Sequence, residues 1–221
     1  MKYVKSIGLE IEGGWFAIRD KPPHMVHWHE DQSVRNIRRT QNERPLEFIG
    51  EASSSPIKTL AGVRTWIETF WPDRKNESCG FHIHTSFEPS IYKHLVEEKF
   101  YIAFYHEMRK IGQKLELGKE FFTRLEGQNH HCQKIFKGFE QVAATTKTNN
   151  RYTQLNFCYS LHGTLENRLP SAILPVFKAF RYTEEYVNFL EEYLDKHPKT
   201  SSSTEYSWVD SFSVEDSVQI S

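Results

Sequence analysis

Hydrophobic and polar positions alternate with period two in several short stretches of the chain. Tyr3 to Ala17 alternates and predicts a strand, closed by the turn cluster Asp20 to Pro23. A second strand is expected from Val26 to His29, running into Glu30-Asp31-Gln32-Ser33. A third is expected from Leu46 to Glu51, ended by Ala52 to Pro56. Cys79 to His84 reads as a fourth strand, and Arg151 to Leu161 with Gly163 to Leu169 as a final pair. Between them the period changes to that of a helix. Leu60, Val63, Ile67, Phe70 and Trp71 mark one helix, Ile91 to Leu117 a longer one, and Ser171 to Leu194 a third. In that last helix Ile173, Leu174, Phe177, Phe180, Val187, Leu190 and Leu194 are the expected buried set, and Pro175 fits only its first turn. Arg35 to Arg44 is basic and polar and reads as a loop, and Lys119 to Asn150 carries no clear period.

Three of the strands carry polar pairs one residue apart: Glu10 and Glu12, His82 and His84, Glu166 and Arg168. A two-residue side-chain period puts both members of each pair on one face. The intervening Leu9, Ile11, Phe81, Ile83 and Leu165 then point to a core. The pattern predicts a sheet with an apolar back and an ionised front.

The chain has 221 residues, 38% of them hydrophobic and 14% aromatic, which fits one globular domain over residues 1–198. Residues 199–221 are Ser-rich, the last 21 of the chain hold four acids and no Lys or Arg, and the segment is expected to form a flexible tail. The formal net charge is −1, which argues against nucleic acid or a membrane surface as a general partner. Three cysteines without a pairing or zinc pattern suit a reducing compartment. With no signal peptide or spanning segment in view, a cytoplasmic protein is expected.

Glu10 and Glu12 lie ~6.7 Å apart along an ideal strand, suited to two neighbouring cations or two edges of one. Clustered carboxylates repel, and bound cations relieve that conflict. Magnesium prefers such oxygen donors and is commonly shared with substrate phosphates. Arg168 and Arg151 offer bidentate forks to phosphate, and His82 and His84 offer nitrogen ligands or donors. The mixture suits phosphoryl transfer. Each piece also has a plainer reading. Glu166 and Arg168 can be a simple ladder ion pair, Glu51 can cap a turn, and Asp31-x-Ser33 is an ordinary turn or helix-cap pattern. His130-His131-Cys132 reads as a polar loop, and Cys79 as a small buried residue.

The ordered segments GLEIE, HEDQS, FIGEASSSP, SCGFHIHTSF, NNRYTQLNF and GTLENRL resemble the amidoligase family. That family is made up of carboxylate–amine ligases of the glutamine synthetase and glutamate–cysteine ligase superfamily. The resemblance runs from Ile7 to about Leu169. It implies an α+β fold like the glutamine synthetase catalytic domain, a curved antiparallel sheet with a concave active-site face backed by helices. It implies ATP and Mg2+, or Mn2+ in its place, and an acyl phosphate that an amine attacks to form an amide or isopeptide bond. Carried over by position, Glu10, Glu12, Glu51, His82 and Glu166 are metal ligands, with Glu51 also on the amine side. His82, His84, Arg151 and Arg168 bind the nucleotide, and Glu51, Arg151 and Arg168 are the catalytic groups. Asp31 and Ser33 resemble a substrate-side motif. The partners implied are small-molecule or peptide carboxylates and amines, and a homo-oligomer is compatible. Asn167 departs from the family, which usually has an apolar or aromatic residue there, and suggests an exposed strand edge. On charge repulsion alone, Glu10→Gln is expected to leave the metal-free fold unchanged or slightly more stable.

Two other readings compete. His84-Thr85-Ser86-Phe87 and His162-Gly163-Thr164-Leu165 loosely fit the paired tetrads of two-histidine phosphoesterases, which need no ATP. A ligase fold used only for binding is the other.

Overall fold

A computed structural model describes residues 1–31, 34, 37, 44–92, 94–134, 152–158 and 162–197. Among them lie six strands: β1 (Ser6–Trp15), β2 (Val26–His29), β3 (Phe48–Ser54), β4 (Phe81–Ser86), β5 (Leu155–Cys158) and β6 (Thr164–Asn167). The helices are α1 (Leu60–Phe70), α2 (Pro89–Tyr92), α3 (Glu98–Lys114), α4 (Gly118–Leu125) and α5 (Val176–Lys196). The strands form one open antiparallel sheet in the order β2-β3-β1-β4-β6-β5. The fold is therefore α+β. Residues 199–221, expected as a tail, lie outside the described residues.

The back of the sheet is apolar as the alternation requires. Leu9, Ile11, Phe81, Ile83 and Leu165 are buried in one core with Val63 and Ile67 of α1, Phe104 and Met108 of α3, and Val187 and Leu190 of α5. Thr59 caps α1, its hydroxyl accepting from the Gly62 amide at 3.0 Å. The Trp15 indole donates to the Phe70 carbonyl at 2.8 Å and ties the end of β1 to the end of α1. At the other end of β1, the Glu191 carboxylate of α5 accepts from the amides of Lys2, Tyr3 and Val4 at 2.8–3.1 Å.

The structure departs from the periodicity at four places. The long pattern from Ile91 to Leu117 is two helices, because the chain turns after Tyr92 to bury Leu95 and restarts with Glu97 in an extended cap conformation. Apolar spacing fits either arrangement, so the break carries no mark in the sequence. The last helix starts at Val176 rather than Ser171, because Ser171 and Ala172 bond to the Cys79 carbonyl instead, at 3.0 and 3.1 Å. Its buried stripe is Ala179, Tyr182, Thr183, Tyr186, Val187, Leu190, Tyr193 and Leu194, while Phe177 is 65% exposed and Ile173 is also exposed. The unreadable stretch after Gly118 opens with α4, which buries Phe121, Arg124 and Leu125. Residues 135–150 of that stretch lie outside the described residues.

Asn167 corrects the expectation of an exposed edge. β6 lies between β4 and β5, and Asn167 is fully buried on the back of the sheet. Its side-chain amide donates to the Tyr182 hydroxyl at 2.9 Å and accepts from the Leu169 amide at 3.1 Å. A polar side chain is tolerated there because both of its ends are satisfied.

Candidate active site

Strand register gathers the charged residues. On the front of the sheet Glu10 is the partner of His82, Glu12 of Glu51, and His84 of Glu166, which in turn faces Asn156 on β5. The row crosses five strands, β3, β1, β4, β6 and β5. A one-residue slip in any pairing would send its members to the core, so the buried back holds the ionised front in register. Gly80 makes room for His82: a Cβ on it would come within 2.4 Å of Nε2 of that ring.

Two clusters of donor atoms result, Glu10 with His84 and Glu166, and Glu12 with Asp31 and Glu51. Within each cluster the donor atoms lie within 4.8 Å of one another. In the first, Glu10 bridges the two imidazoles. His82 Nδ1 donates to its Oε2 at 3.3 Å, and His84 Nε2 is 3.1 Å from its Oε1. Glu166 lies 3.4 Å from His82 Nδ1 and 3.9 Å from His84 Nε2. Its Oε2 accepts from Asn156 Nδ2 at 2.8 Å and from the Cys158 thiol at 3.6 Å, and its Oε1 accepts from Arg168. Arg168 Nη1 is also 3.5 Å from His82 Nδ1.

These neighbours set the ionisation. Burial alone would raise the Glu10 carboxyl, but the hydrogen bond from His82 and the adjacent His84 imidazole overcome it and hold Glu10 well below the usual carboxylate range. Glu166 behaves alike: burial raises it, and Arg168, His82 and His84 bring it below its ordinary value. Burial disfavours the His84 imidazolium, yet Glu10 and Glu166 raise its pKa. Its Nε2 is buried and, although close to Glu10, has no hydrogen bond of acceptable geometry. Such a nitrogen between two carboxylates suits a metal bond better than a hydrogen bond.

The second cluster is made of oxygens. Glu12 Oε2 accepts from the Gly80 amide at 2.7 Å, which fixes that carboxylate and joins β1 to the start of β4. Glu51 is pushed up to about 8, first by burial and then by the charges of Glu10, Glu12, Asp31 and Glu166. A site that strains a carboxylate in this way is relieved by a cation. The donors fit a divalent ion: all oxygen in one cluster, and oxygen with one imidazole in the other.

The structure thus brings together Glu10, Glu12, Asp31, Glu51, His82, His84, Glu166 and Arg168. Ser33 and Arg151 lie outside the described residues. Several supporting residues were not anticipated. Asn156 and Cys158 stand on the front of β5 and hold Glu166; the alternation of Asn156-Phe157-Cys158 was the available signal. Thr164 Oγ1 is 3.1 Å from His84 Nδ1 and orients that ring. Arg124 is buried beneath the site and donates to the Arg168 and Pro170 carbonyls at 3.5 and 3.4 Å. Nothing in the sequence distinguished it from a surface arginine of α4.

Other features stay outside the site. Cys79 and Cys132 are free and buried, and burial raises both thiols, Cys132 to about 12. His130 and His131 occupy a turn closed by the Cys132 amide on the Asn129 carbonyl at 3.0 Å, and neither joins a donor cluster among the described residues. His162 is exposed and precedes β6, so it does not face His84 from a paired strand. No described helix is long and apolar enough to cross a membrane.

The chain matches no protein-family model, no curated protein and no solved structure.

Proposed function

We propose that the protein is an ATP- and divalent-metal-dependent carboxylate–amine ligase of the amidoligase type. The observation that carries this reading is the pair of donor clusters on one face of an antiparallel sheet, with Arg168 beside them. The ordered segments shared with that family support it. In this reading the ionised face is the concave floor of a glutamine synthetase-like sheet.

One divalent ion, Mg2+ or Mn2+, would be held by Glu10, His84 and Glu166, and the other by Glu12, Asp31 and Glu51. His82 steers Glu10 and Glu166 and stands ready for phosphate. Bound there, the ions would supply positive charge against the phosphates of ATP. The substrate carboxylate takes the γ-phosphoryl group, with ADP leaving. The amine nitrogen then attacks the acyl carbon, inorganic phosphate leaves, and an amide forms. Arg168, with Arg151, offsets charge on the transferring group. Glu51, on the amine side of the site, takes a proton from the substrate ammonium group, which frees the nitrogen lone pair for the attack.

The test is thermal melting with ATP and Mg2+, separately and together, followed by phosphate release in the presence of candidate carboxylates and amines. A ligand at ~100 times its dissociation constant stabilises by about 2.7 kcal/mol, several degrees at this size. A shift that needs both ligands and is lost in Glu10→Gln supports the ligase. The absence of any shift, with hydrolysis of 2′,3′-cyclic nucleotides, would replace it with a phosphoesterase. ATP binding without phosphate release from any pair would leave a binding module.

A further inference from the structure

Arg124 stands in the last turn of α4, yet only 3% of it is exposed. Its Nε donates to the Glu120 carboxylate one turn back at 3.1 Å. Nη1 donates to the carbonyls of Arg168 and Pro170 at 3.5 and 3.4 Å, and Nη2 to the carbonyl of Glu77 at 3.5 Å. One side chain thus bonds two segments far apart in sequence. The first leads into β4, where the Gly80 amide holds Glu12 and His82 follows. The second leaves β6 through Arg168. The Phe81 amide joins the two directly, donating to the Pro170 carbonyl at 3.2 Å. The Arg168 backbone is fixed from its other side as well, its amide donating to the Gln154 carbonyl at 3.0 Å. Gln154 is itself fully buried; its side-chain amide donates to the Arg124 carbonyl at 2.8 Å and accepts from the Tyr101 hydroxyl at 2.7 Å. Burying a guanidinium is costly, and an apolar side chain of like volume commonly serves stability as well. What an arginine adds is a planar fork of donors with fixed directions.

We propose that Arg124 is a positioning residue for Arg168: it clamps the segments entering β4 and leaving β6 to α4, and so aims the Arg168 guanidinium across the front of the sheet. Both peptide groups of Arg168 are held, the amide by Gln154 and the carbonyl by Arg124. With its Cα fixed in this way, the side chain reaches Glu166 Oε1 through Nη1, while Nε stays buried with no hydrogen-bond partner among the described residues. Without Arg124 the Arg168 carbonyl is free to turn and the Cα to shift. A displacement of about 1 Å at a group facing a reacting centre can cost roughly 100-fold in rate. That Arg168 faces a transferring phosphoryl group rests on the ligase reading; that Arg124 fixes Arg168 does not. A lysine at this position keeps the charge, but its donors share one nitrogen, whereas the site uses separate donors directed to Glu120 and to three carbonyls.

The experiment uses the full chain and the variants Arg124→Lys, Arg124→Met, Arg168→Lys and Arg124→Lys/Arg168→Lys. The magnetic resonance signal of the Arg168 Nε–H, identified by its loss in Arg168→Lys, reports that side chain. The indole N–H of Trp15, bonded to the Phe70 carbonyl, reports the fold. We expect hydrogen exchange at Arg168 Nε to quicken roughly 10-fold or more in both single Arg124 variants, with the Trp15 signal unmoved. Should the methionine variant fail to fold, the lysine variant decides alone. An unchanged Arg168 signal overturns the proposal, and so does equal loosening at Trp15, which would make Arg124 a support of the whole fold. Phosphate release from ATP is then followed with the acid–amine pair that gives the highest rate. Arg124→Lys should lower kcat roughly 10-fold or more and leave the KM for ATP within about twofold. Added to Arg168→Lys it should cost nothing further, because it acts only through that residue. An unchanged kcat, or a loss that multiplies with that of Arg168→Lys, overturns the proposal. If the wild type releases no phosphate with any pair, the ligase reading falls, and the Arg168 signal alone decides the positioning.

Discussion

Glu12 on β1 and Glu51 on β3 stand directly opposite each other in the antiparallel ladder, two carboxylates on one face of the sheet. Like charges in that relation are destabilising unless something lies between them. Glu51 carries the strain, its carboxyl being pushed from an ordinary 4.5 to about 8. The unfolded chain releases this proton near 4.5 and the folded chain only near 8. The metal-free protein therefore loses stability as pH rises from about 4.5 to about 8, and levels off above. Glu51→Gln should remove that slope. At pH 8.5 in chelator it should raise stability by about 1 kcal/mol, or about 2–4 °C in melting midpoint, with little gain at pH 5. Melting curves across pH, with and without Mn2+, would check this; a variant less stable than wild type at pH 8.5 would refute it.

Glu10 has the opposite sign from its neighbour. Charge repulsion alone led to the expectation that Glu10→Gln leaves the metal-free fold untouched or firmer. The structure reverses that, because Glu10 accepts the His82 hydrogen bond and stands 3.1 Å from His84 Nε2 as its nearest anion. Its replacement should cost about 2 kcal/mol in metal-free buffer, as for a lost bond to a charged group. Under the ligase proposal it should also abolish ATP-dependent phosphate release. Urea unfolding in chelator measures the first effect, and a stabilised variant would contradict it.

Asn156 touches neither proposed ion, yet it holds Oε2 of Glu166 at 2.8 Å. Outer partners of metal-binding carboxylates commonly matter 10–100-fold. Asn156→Ala should weaken Mn2+ binding by roughly 10-fold while leaving the melting midpoint in chelator within about 2 °C. Electron spin resonance of free Mn2+ gives the affinity, and an unchanged value would show that Glu166 needs no such support.

Asn167 belongs to the back of the same strand. Asn167→Leu restores the apolar character that the amidoligase resemblance leads one to expect, but it strips a partner from the buried Tyr182 hydroxyl and from the Leu169 amide. Leaving buried polar groups unpaired costs about 1–3 kcal/mol. The leucine variant should therefore unfold at lower urea than wild type, and pairing it with Tyr182→Phe should recover part of the loss. A leucine variant as stable as wild type would mean that this buried pair contributes nothing.

The local sequence determined the strands and which side chains share a face, because a strand's period of two leaves no choice once one face is apolar. Leu9 and Ile11 buried, with Glu10 and Glu12 between them, follow from that rule alone. So do His82 and His84 on β4 and Glu166 on β6. Which carboxylate meets which was decided by pairing between strands distant in sequence. Register sets Glu12 against Glu51, and it makes Glu10 a partner of histidines rather than a free charge. The phase of α5 was likewise decided by packing: Phe177 and Tyr182 are both aromatic, and only contact with the sheet and α3 puts one outside and the other within. Periodicity reports a face; the energy that chooses its neighbour comes from contacts that form only when the chain is folded.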